Sequence, residues 1–177
     1  MKRSWMIVML LAVAVTAHAQ EPAKQSNGFV TMSQLSVAAP INGHSEVSLL
    51  GLEENFGYAF NSRWTAYLPI TYTLALFDMK EGLGRYEDTG SIGLGVGFHA
   101  IHNERERLEV IAKGGGGFFG GDDWQSTYCD LGVNYGTSAS SGSMGAYVGA
   151  GVRYIGTTKG NMGNYFTLYV TIGFRFN

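Results

Sequence analysis

The sequence predicts an all-β chain of eight antiparallel strands, joined up-and-down and closed into a barrel. Three observations predict it. The chain is rich in glycine, with 26 in 177 residues, and poor in charge, at 15%; soluble domains carry about 25% charged residues, and helices tolerate neither feature well. Apolar residues recur at every second position over long runs, which is the period of a strand. Beyond the first twenty residues, no apolar run is long enough to cross a bilayer as a helix. The composition also excludes other classes. One cysteine cannot form an internal disulfide. A net charge of −2 leaves no basic footprint for nucleic acid. A hydrophobic content of 45% argues against disorder.

The elements follow in chain order. Residues 1–19 read as a cleaved signal peptide: Lys2 and Arg3 start it, Trp5 to Val15 is its apolar stretch, and Ala17-His18-Ala19 is a small-x-small cut site. The chain is therefore expected to be exported. Residues 20–27 are a short N-terminal segment and 28–177 the barrel. The first strand, residues 28–38, alternates poorly. The second, within 45–60, carries Leu50, Leu52, Phe56, Tyr58 and Phe60 on one face, with Glu54 in the same register. The third runs from Trp64 through Leu68, Ile70 and Tyr72 to Leu76, and its mid-strand Pro69 predicts a bulge. The fourth shows Ile92, Leu94, Val96, Phe98 and Ala100. The fifth shows Leu108, Val110, Ala112, Gly114, Gly116 and Phe118. Its glycine run lacks the Lys-Ser/Thr of a phosphate loop. Thr127, Cys129, Leu131, Val133 and Tyr135 mark the sixth strand. Met144 to Tyr154 marks the seventh and Phe166 to Phe176 the eighth, both on even positions. The connections are short enough for antiparallel neighbours throughout.

The opposite face sets the direction of closure. In the six clear strands its charged residues are Glu109, Lys113, Asp130, Arg153 and Arg175; the rest is largely Gly, Thr, Ser and Tyr. That is too little charge for a water-facing exterior, so this face lines a polar lumen and the apolar face meets lipid. Aromatic residues gather towards both strand ends, as at lipid–water boundaries. The reading is an eight-stranded antiparallel transmembrane β-barrel. A soluble lipocalin-like carrier, with the apolar face inward, is the alternative. In the membrane barrel Glu54 would face lipid at a cost, and the expectation is that the register of its strand differs.

The last strand, Tyr169-Val170-Thr171-Ile172-Gly173-Phe174-Arg175-Phe176, resembles the C-terminal aromatic signal of small eight-stranded outer-membrane β-barrels, the OmpX and OmpA transmembrane-domain type. Where that pattern ends on the aromatic, this chain adds Asn177. The resemblance spans residues 28–177 in pattern. It implies residence in the bacterial outer membrane, both termini in the periplasm and the longer loops outside. It also implies contact with outer-membrane lipid and lipopolysaccharide, and reading of Gly173, Phe174 and Phe176 by the assembly machinery. A monomer is expected.

Hairpin register places Lys113 opposite Asp130 and His99 opposite Glu109, all facing inward. Charges confined in a lumen just wide enough for side chains are expected to pair as lumen ion pairs, because an unpaired buried charge is costly. Inward glycines leave room for Tyr67, Tyr147, Tyr165 and Tyr169. No catalytic, cofactor or metal residues are expected. His44-Ser45-Glu46 cannot form a triad, since adjacent strand residues point to opposite faces. The loop carboxylates Asp78, Glu81, Glu87, Asp88, Asp122 and Asp123 match no calcium loop. Cys129 reads as a small hydrophobe. The functional expectation is a structural or interaction role in the envelope with a plugged lumen. A narrow channel or small-ligand barrel and a lipid-A-modifying enzyme stand beside it.

Overall fold

The computed structural model describes residues 27–41, 49–75, 89–103, 105–119, 125–137, 144–159 and 164–176. The expected leader over 1–19, nearly all of the segment after it, Leu76, the His44-Ser45-Glu46 triplet, the outer-loop carboxylates and Asn177 lie outside them. The described residues form eight strands: β1 Gly28–Pro40, β2 Leu49–Ala59, β3 Trp64–Ala75, β4 Thr89–His102, β5 Glu106–Phe119, β6 Gln125–Thr137, β7 Met144–Lys159 and β8 Tyr165–Phe176. Each pairs antiparallel with the next, and β1 pairs with β8 to close the barrel. Closure leaves no strand edge to be satisfied by solvent.

Two connections at one end, the turn end, are tight for an identifiable reason. Asn61 Oδ1 accepts from the N–H of Arg63 at 2.8 Å and of Trp64 at 2.9 Å. Asn103 Oδ1 does the same for Arg105 at 2.9 Å and Glu106 at 2.8 Å. Each asparagine side chain thus stands in for a backbone turn. The other end, the loop end, carries the connection from β3 to β4, the longest of the chain.

Alternation decides what faces out. Leu94, Val170 and Ile172 are all more than half exposed, with Leu94 at 73%. They belong to a continuous apolar wall that also includes Leu52, Ile70, Val148 and Leu168. Aromatic pairs frame this wall: Phe29–Tyr58, Tyr58–Phe60 and Trp64–Phe98 at the turn end, and Tyr154–Phe166 towards the loop end. The apolar faces therefore point outward, as in a membrane barrel and not as in a lipocalin-like carrier.

Three local expectations are corrected. Glu54 stands on the outer wall in unbroken alternation, opposite Ser33, whose hydroxyl donates to it at 2.8 Å. No register shift removes it, because its neighbour Glu53 takes the inward position and its partners there. Pro69 makes no bulge. The register of β3 is continuous with β2, and on β4 it is the same on either side of Leu68 and Pro69, which are unpaired there. The ladder is interrupted without a shift, because proline has no N–H to contribute. Register shifts lie instead between Gly90 and Ser91, between His99 and Ile101, and between Gln125 and Ser126. The one at His99 turns Ala100 off the outer face, leaving it 2% exposed, and sets Ile101 opposite Leu108.

β1 alternates poorly because its two faces mix character. Inward it carries Val30 and Met32, which pack with Ala59, Tyr67, Ile111 and Tyr147 in a small apolar core. Outward it carries Thr31 and Ser33.

Candidate functional site: the charged lumen

Strand periodicity places the polar residues of every second position inside the barrel, and their long side chains meet across it at two levels. Nearer the turn end, Glu109 of β5 is the centre. Tyr67 Oη donates to its Oε1 at 2.6 Å, and Arg175 Nη1 approaches its Oε2 at 3.4 Å. Arg175 Nη1 also donates to Tyr67 Oη at 2.6 Å. His99 Nε2 lies 3.6 Å from Glu109 Oε1 and 3.1 Å from Thr65 Oγ1. Glu109 and Arg175 are fully buried.

Nearer the loop end, Glu53 of β2 gathers four donors. Lys113 Nζ and Gln34 Nε2 bond its Oε1; Thr71 Oγ1 at 3.1 Å and Arg153 Nη2 at 3.3 Å reach its Oε2. Asp130 of β6 receives Arg153 through Nε at 2.8 Å and Nη2 at 2.7 Å, and Tyr169 Oη at 2.6 Å. The Arg153 guanidinium lies between the rings of Tyr128 and Tyr169, at 5.3 and 5.5 Å from their centroids. Tyr147 Oη donates to Gln34 Oε1 at 2.9 Å, which ties the apolar core to this upper network.

Glycines make the crossing possible. A Cβ at Gly97 would lie 2.8 Å from the Tyr67 ring and against the Glu109 carboxylate. A Cβ at Gly173 would lie 2.6 Å from Tyr147 Oη. These positions need the absence of a side chain, because each large inward group lies across its neighbour's backbone.

The register brings together the expected residues, but not always as ion pairs. Lys113 is opposite Asp130 and His99 is opposite Glu109. Lys113 nevertheless turns to Glu53, and Asp130 takes Arg153. Asp130 finds its partner directly opposite on its other neighbouring strand, since Arg153 of β7 is its register partner, while Lys113 reaches across the lumen to Glu53. Phe174 and Phe176 stand on the outer wall of β8, with Gly173 inward beneath Tyr147. Sequence reasoning missed Glu53, the hub of the upper network. Its signal was the Glu53-Glu54 pair, since one of two adjacent strand residues must face in. It also missed Arg107, which is 3% exposed and faces the lumen from the start of β5.

An all-β closed barrel with an apolar exterior and charges inside is the construction of a small transmembrane β-barrel. The fold is similar to that of Neisserial surface protein A, with a TM-score of 0.59 and 18% identity, covering 86% of this chain and 99% of that one. A de novo designed transmembrane β-barrel is also similar, with a TM-score of 0.46 and 14% identity over 87% of this chain and 98% of that one. No family model and no curated protein matches the sequence. At these identities the likeness is one of fold.

Proposed function

We propose that this chain is an integral protein of the bacterial outer membrane with a structural or interaction role, and that its lumen does not conduct. One observation carries the reading: the wall is apolar outside, while inside Glu53 pairs with Lys113 and Glu109 with Arg175, all at 7% exposure or less. Such a distribution suits lipid outside and a filled interior. The two networks link β2 to β5 and β7, and β5 to β3 and β8, so side chains bridge the lumen in more than one direction. Within this reading the outer-membrane lipids surround the wall, and Gly173, Phe174 and Phe176 serve recognition during assembly. The loop-end surface is where a partner would be met.

The test is membrane fractionation with boiled and unboiled gel lanes, followed by recording in planar bilayers. The expected result is an outer-membrane protein whose mobility changes on boiling and which adds no steady conductance. Recovery in the soluble periplasmic fraction would overturn the location. Reproducible single-channel steps, abolished by deletion of the chain, would overturn the closed lumen.

A further inference from the structure

Above the upper ion network the lumen opens into a cup at the loop end, about 40 Å³ in volume, room for about three water molecules. Its wall carries hydroxyls delivered by alternation from five strands, Ser36, Thr73, Ser91, Ser126 and Thr167, interspersed with the apolar Ala38, Leu49 and Ile155. Arg153 lies at its base, its guanidinium over the rings of both Tyr128 and Tyr169. Two features distinguish the cup from packing. Tyr128, 8% exposed, has its hydroxyl buried without a hydrogen-bond partner among the described residues. Thr73, Ser91 and Ser126 likewise spend no hydroxyl on another described residue. A buried hydroxyl left unmatched costs free energy, and a ligand that matched it would recover that cost.

The charge at the base selects the ligand class. Arg153 and Lys113 are balanced by Glu53 and Asp130 within one network, so neither an anion nor a cation is favoured. Hydroxyls both donate and accept, which matches a neutral partner carrying hydroxyls of its own. We propose that the cup binds the tip of a neutral polyhydroxy group, a polyol or a single sugar unit, through its wall hydroxyls and the Tyr128 hydroxyl.

The experiment uses the folded barrel in detergent micelles and follows backbone amide resonances of Ser91, Ser126, Tyr128 and Thr167. The probes are glycerol and methyl α-glucoside, with acetate and tetramethylammonium as charged controls. Saturable shifts at these amides with the neutral probes alone are expected. Tyr128→Phe should weaken binding about tenfold, the worth of one neutral hydrogen bond. It should not lower the thermal midpoint, and by removing an unmatched buried hydroxyl it should raise it. Ser126→Ala, a smaller change two residues away on the same strand, should weaken binding in the same direction. Bilayers containing lipopolysaccharide separate the two sources of the chemistry. Shifts at the same amides there assign the cup to a glycan end, and shifts with soluble probes only assign it to a free polyol. A response to acetate or tetramethylammonium in place of the neutral probes overturns the proposal. So does the absence of any saturable shift, or binding unaltered in both variants.

Discussion

At the residue scale, the lumen concentrates cost at a few atoms. Glu53 accepts from four side chains, so removing it strands Lys113 in a buried place and leaves Arg153 with Asp130. Breaking one partner of a buried charge network costs about 3–5 kcal/mol, and Glu53→Ala should lower folding stability by an amount of that order in urea titrations in lipid vesicles. Adding Lys113→Met should restore part of the loss, because it removes the stranded cation; equal or greater loss in the double variant would contradict the network. Gly97→Ala tests the other half of the design. Its methyl would press on Tyr67 and Glu109, so the variant should be less stable by about 1–3 kcal/mol, the usual cost of overpacking. A neutral result would mean that the lower network yields easily.

At the element scale, β2 holds one carboxylate on each side of the wall. Glu53 is stabilised inside, while Glu54 stands on the outer wall with the Ser33 hydroxyl beside it. Glu54→Leu should therefore raise the urea midpoint in vesicles, whereas Glu53→Leu should lower it, although the two residues are adjacent. The same strands show what the sequence made legible. Apart from Ala100, which a bulge turns off the outer face, the apolar positions of β3 through β8 read well by alternation, and the low charge of the opposite face assigned inside and outside. β1 did not read well, because Val30 and Met32 build an apolar core inside while Thr31 and Ser33 soften the outer wall. Ion partners were less legible than register. A hairpin fixes which backbones are opposite, as for Lys113 and Asp130. The curvature of the closed wall decides which distant side chain a lysine can reach, and no local pattern encodes that.

At the scale of the whole molecule, the polar contacts are distant along the chain. Glu53 meets Lys113 60 residues away and Arg153 100 residues away. Gln34 meets Tyr147 across 113 residues and Tyr67 meets Arg175 across 108. Contacts of such separation form only when β1 has met β8, so they act as a latch that engages last. Interactions absent from the transition state govern the rate of escape from the native state rather than the rate of reaching it. Loss of Glu53 or Glu109 should accordingly speed unfolding in denaturant jumps while leaving the insertion rate nearly unchanged; a slowed insertion would mean that the lumen assembles before the wall closes. The interior then works as a timer on the wall's lifetime. A barrel that enters the membrane quickly and leaves it slowly can be retained there without any external anchor.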